Sequence, residues 1–339
     1  MDAPTLTNRQ LAGQRLMVGF DGTELNPDLR FFIDTLKIGG IILFARNLIH
    51  PQQIKKLCRS VQAYAVSCGS PPLFIAVDQE GGVVARLKEP FTQFPGNPHM
   101  RDRQDAVRFA DITAKELSDV GINMNMAPVM DACPPNITSV MAGRSFGHDP
   151  KWVSEMGVTV IEHLQQRQIM AVAKHFPGIG RTTLDSHIEL PILNIDFLAM
   201  ESYDLLPFRD AIHHQVSGIM LSHILYNKID PRWPASLSPK IAKDLLRDYM
   251  AFQGLVITDD LNMGAINKHY EIKDIIKQIL LAEIDIALIC QKGPEIERSF
   301  EEILEYMASD HAMRSKGVAS AERILRLKKK YIKVQMNGN

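Results

Sequence analysis

Apolar residues fall into eight short, near-continuous runs: Met17–Phe20, Ile38–Phe44, Leu73–Asp78, Ile122–Asp131, Met170–His175, Gly218–His223, Leu255–Asp259 and Ile284–Cys290. Runs of this kind predict parallel strands buried on both faces. Between them the apolar spacing changes to that of helices. Asn26-Pro27 opens one helix, with Leu29, Phe32, Ile33 and Leu36 on its buried stripe and Gly39 just past its end. Pro51 opens another, carrying Ile54, Leu57 and Val61. Ser238-Pro239 places a capping serine before a first-turn proline, Ile241, Leu245 and Tyr249 continue that helix, and Gly254 ends it. Strand and helix alternating eight times predict a single (β/α)8 barrel, one domain over residues 1–339. The competing architecture is a doubly wound open sheet. It often carries a GxGxxG or P-loop fingerprint, and neither occurs here.

Polar residues sharpen the barrel reading. Asp78, Asp131, Lys174-His175, His223 and Asp259 each end an apolar run. In a closed barrel those ends ring one face, where active sites form. Any one of them alone could be a turn or capping residue.

With 339 residues, 45% of them hydrophobic, the chain can bury a large core. Length alone would allow two domains, but α/β barrels of this size are commonly one. The formal net charge of −1 and the lack of a basic block exclude a nucleic-acid backbone as the expected partner. The one basic run, Lys328–Lys330, is expected on a solvated helix face. Cys58, Cys68, Cys133 and Cys290 are scattered without CxxC spacing, against a disulfide framework and a structural zinc site. Met1 to Gln10 is polar, and no apolar run approaches the ~18 residues of a membrane span. These features fit a reducing cytoplasm and no membrane partner.

Three segments can carry chemistry. Lys174–His187 leaves a strand end through a Pro/Gly-rich loop, where Gly178 and Gly180 permit unusual backbone angles and motion. It finishes in an Asp185-x-His187 pair. A carboxylate can fix the tautomer of an imidazole, and such a pair can act as a general acid and then a general base. The same pair also describes a purely structural loop hydrogen bond. Ile257-Thr258-Asp259-Asp260 ends a very apolar strand, so Asp259 at the mouth is a candidate nucleophile; either aspartate could instead cap the next helix or bind its N-terminal amides, the role expected of Asp260. Asp78-Gln79-Glu80-Gly81-Gly82, with Arg86 beyond it, supplies partners for sugar hydroxyls or a salt bridge. Arg144 can clamp ring hydroxyls or an anionic group.

Together these motifs resemble the single-barrel β-N-acetylhexosaminidases of glycoside hydrolase family 3. The resemblance is carried by Val77–Gly82, Ala127–Asp131, Gly143–Gly147, Lys174–Gly178, Asp185–His187, Leu206–Arg209, Ser222–Ile224 and Thr258–Leu261, in the same order and rough spacing. It implies a retaining enzyme of peptidoglycan recycling, acting on N-acetylglucosaminyl muropeptides or chito-oligosaccharides without metal or organic cofactor. By position it implies that Asp259 is the nucleophile, His187 the acid/base and Asp185 its partner. Asp78, Arg86, Arg144, Lys174 and His175 would hold the terminal sugar. Retaining glycosidases ordinarily use two carboxylates; a histidine replacing one is shared by this subgroup.

The chain also departs from the pattern. Ile179 replaces the histidine of Lys-His-Phe-Pro-Gly-His-Gly, and Arg181 stands where aspartate is frequent. Arg181 therefore raises the expectation of a loop that selects anionic aglycones. Ala282-Glu283-Ile284-Asp285 replaces Ala-Gly-Ala-Asp, a change expected to touch only a helix–strand turn. Competing functions on the same barrel are a β-glucosidase, an N-acetylglucosaminide phosphorylase and a weakly active sugar-binding protein. The larger relatives usually take a carboxylate acid/base from an added domain and lack the Asp-x-His pair.

Overall fold

The computed structural model describes residues 3–332; residues 1–2 and 333–339, which the predicted domain includes, lie outside the described residues. Among the described residues, eight parallel strands close into a barrel: β1 (Leu16–Val18), β2 (Gly40–Leu43), β3 (Phe74–Val77), β4 (Met124–Asn125), β5 (Met170–Phe176), β6 (Gly218–Leu221), β7 (Leu255–Asp260) and β8 (Ile286–Ile289). Each pairs with its neighbours in sequence, and β1 closes on β8 with Leu16 opposite Ala287. All eight expected strands are present. The run at Ile122–Asp131 is regular only over Met124–Asn125. Pro128 has no N–H to give the ladder, although Val172 and Lys174 still donate to the carbonyls of Ala127 and Pro128.

Strand side chains alternate between two cores. Met17, Ile42, Phe74, Ala76, Met124, Met170, Val172, Met220, Leu255, Ile257, Ile286 and Leu288 fill the barrel interior. Leu16, Val18, Ile41, Leu43, Ile75, Val77, Ala171 and Val256 face the helices. The C-terminal helix His311–Tyr331 adds Ile324, Leu327 and Tyr331 to the interior core, against the end where the strands begin. Tyr331 Oη lies 2.7 Å from Ser217 Oγ there. Lys328 corrects the expectation of a solvated basic face. It is 2% exposed, with its Nζ 2.6 Å from Gln14 Oε1 and above the Phe74 ring. Burial pushes its ammonium well below the ordinary lysine range. Lys329 and Lys330 are exposed, as expected. No helix among the described residues is long and apolar enough to cross a membrane.

Helix starts follow the sequence. Asn26 Oδ1 accepts from Leu29 N–H, Pro51 opens Pro51–Ser67, and Ser238 Oγ accepts from Ile241 N–H. Helix ends do not. Neither Gly39 nor Gly254 is in a left-handed conformation; the chain turns instead on Lys37 (φ 55°) and Ala251 (φ 56°). A Cβ on Gly39 would lie 2.1 Å from Gln14 O, and one on Gly254 2.6 Å from Ser217 O, so both are kept small by close backbone approach. The helix after Ser238 spans Lys240–Tyr249 with widened, π-type winding, and Met250 N–H donates to Leu245 O five residues back. Its Ile241 and Leu245 are buried, while Tyr249 is 57% exposed.

Candidate active site

The interior alternation fixes which strand-end residues reach the mouth. Phe74 and Ala76 point inward, so Asp78 does too; Met170 and Val172 put Lys174 inward; Leu255 and Ile257 put Asp259 inward. The top inward layer of the barrel is therefore polar.

Lys174 is 2% exposed, yet its Nζ lies 2.7 Å from Asp78 Oδ1 and 2.6 Å from Glu80 Oε1. Arg144 grips Glu80 with two parallel bonds of 2.9 and 2.7 Å, and Arg86 Nη2 stands 3.6 Å from Asp78 Oδ2. Burial works against both carboxylates, but Lys174 and the arginines outweigh it and hold Asp78 and Glu80 below the ordinary carboxylate range. Burial likewise opposes the Lys174 charge, and the two carboxylates more than restore it. The result is a rigid ring of fixed donors and acceptors.

His175 follows Lys174 across a cis peptide. Its Nδ1 bonds Asp131 Oδ2 at 2.8 Å, and Asp131, fully buried, also accepts the N–H groups of His175 (3.2 Å) and Ile179 (2.8 Å). With Nδ1 donating to that carboxylate, Nε2 faces Arg144 Nη2 at 3.5 Å.

Asp259 Oδ1 accepts from Asp260 N–H at 2.8 Å. Burial would raise its pKa, but His223, His175, that N–H and Lys174 together hold it below the ordinary range, so the carboxylate stays ionised. Asp260 turns to backbone amides, accepting from Asn262 N–H (3.0 Å) and Cys290 N–H (2.9 Å), but not to those of the next helix, Gly264–Asn267, which has no side-chain cap. His223 is buried, which lowers its pKa, while the Asp259 charge and the bond to Asp260 O act the other way. Its Nε2 donates to Asp260 O at 2.8 Å, and its Nδ1 lies 2.6 Å from Ser236 Oγ.

The loop after β5 is anchored before it reaches Asp185. Gly178 has φ 119°, and its carbonyl accepts from Tyr226 Oη at 2.9 Å. Gly180 is not a hinge: a Cβ there would lie 1.8 Å from Ala132 O. Ile179 is buried and contributes its N–H rather than a side-chain function. Arg181 bonds both oxygens of buried Asp204, at 3.0 and 2.9 Å, and lies over Tyr203. Its charge is compensated there, which removes the basis for expecting it to select anionic aglycones. Beyond this anchor Asp185 and His187 are largely exposed, with His187 Nδ1 2.7 Å and its N–H 2.9 Å from Asp185 Oδ1. Asp185 occupies Nδ1, so proton exchange with a bound molecule falls to Nε2. The loop then seats on the turn after β7: Gly264 N–H and Ala265 N–H donate to the carbonyls of His187 and Ser186, both at 3.1 Å.

The structure thus gathers Asp78, Arg86, Arg144, Lys174 and His175 into one network and sets Asp259 in the same inward layer. Asp185 and His187 reach the β7 side on their loop. Three participants were legible in the sequence only as members of a motif or of the strand-end ring, and the structure gives each its partner: Glu80 joins Lys174 to Arg144, Asp131 orients His175, and His223 holds the peptide after Asp259.

Comparison with known proteins agrees with this geometry. Residues 9–327 match the glycosyl hydrolase family 3 N-terminal domain. The chain is 37% identical over 285 residues to a β-hexosaminidase of Nitrosomonas eutropha, covering 81% of this chain and 80% of that protein. It superposes with TM-score 0.92 on a family 3 β-N-acetylglucosaminidase from Paenibacillus sp., at 34% identity, over 96% of this chain but 63% of that one. A β-N-acetylhexosaminidase from Beutenbergia cavernae superposes with TM-score 0.87 at 26% identity, over 96% and 99% of the two chains.

Proposed function

The chain belongs to glycosyl hydrolase family 3 and is a β-N-acetylhexosaminidase, and from that premise we propose that it removes terminal β-linked N-acetylglucosamine with retention of configuration. Asp78, Arg86, Arg144, Lys174 and His175 hold the hydroxyls of the non-reducing sugar, as their fixed donor and acceptor pattern supports. Asp259 attacks the anomeric carbon while protonated His187 gives its Nε2 proton to the leaving oxygen. The bond to the aglycone breaks and a glycosyl ester forms on Asp259. Neutral His187 then takes a proton from water, whose oxygen attacks the same carbon and releases Asp259. Asp185 keeps the ring oriented through Nδ1. The ionised Asp259 also stabilises the positive charge that develops on the ring. No step calls for a metal or organic cofactor.

The observation that carries this reading is the placement of Asp259: inward, two residues beyond interior Ile257, and kept ionised by its surroundings. We take residues 1–339 as one catalytic domain. Its natural substrates are muropeptides or chito-oligosaccharides met in the cytoplasm during peptidoglycan recycling. Hydrolysis of 4-nitrophenyl β-N-acetylglucosaminide, followed by proton NMR with and without phosphate, tests the reaction type. The first-formed sugar is expected to be the β-anomer of free N-acetylglucosamine in both cases. An α-anomer product would sink the double displacement, and a sugar 1-phosphate would make the enzyme a phosphorylase.

A further inference from the structure

We propose that Gly264 and Lys268 are positioning residues for the acid/base histidine, so that one segment of chain, Asp259 to Lys268, carries the nucleophile and also seats its catalytic partner. The proposal rests on the reading of Asp259 and His187 given above. Three consecutive loop carbonyls are engaged from this segment. Ser186 O accepts from Ala265 N–H at 3.1 Å, His187 O from Gly264 N–H at 3.1 Å, and Ile188 O from Lys268 Nζ at 2.8 Å. Fixing the peptide planes around His187 fixes the direction of its Cα–Cβ bond. That matters because the imidazole is 69% exposed, and Asp185, its hydrogen-bond partner, is itself on the loop. The dyad is internally ordered, but its position relative to Asp259 depends on what holds the loop.

Gly264 is suited to this docking by its size. A Cβ on it would lie 2.6 Å from Ile188 O and 2.8 Å from His187 O. It does not have a positive φ, so alanine fits its own backbone and the added methyl acts on the loop instead. Lys268 is half-exposed and has Glu189 as its other partner, at 3.7 Å. Its bond to Ile188 O can be removed without disturbing the core. An ångström of displacement at a catalytic group can cost about a hundredfold in rate, and the loss should fall on the step that needs the proton.

The test is kcat/KM across aryl β-N-acetylglucosaminides of graded leaving-group ability, from 2,4-dinitrophenyl to 4-methoxyphenyl. It is measured for the native enzyme, Gly264→Ala, Lys268→Met, Lys268→Arg and, as reference, His187→Ala. Gly264→Ala is expected to lose at least about tenfold on the poorest leaving group and less than about threefold on the best. Lys268→Met should lose less in the same direction, and Lys268→Arg should restore it. A loss equal across the series, or none in either variant, overturns the proposal. If Gly264→Ala does not fold, the Lys268 pair decides. A flat series for His187→Ala would instead overturn the acid/base assignment. A steep series for His187→Ala beside flat ones for Gly264→Ala and Lys268→Met would overturn the docking role alone.

Discussion

A partly buried aspartate can act as a nucleophile only if its charge survives the loss of solvent. At Asp259 the desolvation cost is offset by His223, His175, the Asp260 N–H and Lys174, and the pKa ends below the ordinary value. The sign follows: a depressed carboxyl is active above its pKa and loses activity as pH falls through it. Measured on an aryl substrate with a good leaving group, the acid limb of kcat/KM should therefore lie below about pH 4, under the ordinary aspartate range. A midpoint above pH 5 would show that burial wins. Asp78, Lys174 and Asp259 were legible in the sequence because each ends an apolar run, and the ends of parallel barrel strands ring the mouth. Glu80, Asp131 and Arg181 were harder. Their roles are set by partners far along the chain, Arg144, His175 and Asp204, whose proximity exists only once the barrel is closed. Arg181 read as a free cation for that reason.

The elements themselves were legible wherever an apolar run or a capping residue marked them. The turns from helix to strand were not. Seven of them pass through a left-handed residue: Lys37, Gly69, Gly121, Gln168, Gln215, Ala251 and Glu283. Only two are glycine, so glycine alone is a poor guide to these turns, and Gly39 and Gly254 misled. Glu283 (φ 55°) stands at the family's Gly in the turn before β8, consistent with that departure being confined to the turn. A left-handed alanine costs about 1–2 kcal/mol, partly offset by the greater freedom of glycine in the unfolded chain. Ala251→Gly is therefore expected to raise unfolding stability by about 0.5–1 kcal/mol, read as a higher urea midpoint with unchanged slope. A lower midpoint would mean that Ala251 makes contacts worth more than its strain. The short paired segments Gln79–Gly81 with Val84–Ala85, and Ile192–Leu193 with Leu225–Tyr226, gave no sequence signal. Two or three residues are too few to show a period.

The whole barrel depends on its closed end as well as its mouth. Asp285, fully buried before β8, accepts from Arg247 (2.6 Å), Arg323 (2.9 Å) and Val256 N–H (2.9 Å), and its charge supports that of buried Arg15. One carboxylate ties β7, β8, the widened helix and the C-terminal helix together. Removing one partner of a buried ion cluster costs about 3–5 kcal/mol, so Asp285→Asn should lower Tm by several degrees. The active-site geometry and the leaving-group profile of the surviving fold should be unchanged. An unaltered Tm would show that the cluster is not holding the barrel together. At the mouth, the other end, the proposed chemistry requires Asp259 to be the group that bonds to the sugar. A slow 2-acetamido-2-deoxy-5-fluoro substrate, followed by proteolysis and mass spectrometry of the trapped enzyme, asks this directly. One glycosyl adduct is expected, on Asp259; an adduct on Asp78, or on any other side chain, would rule Asp259 out as the nucleophile.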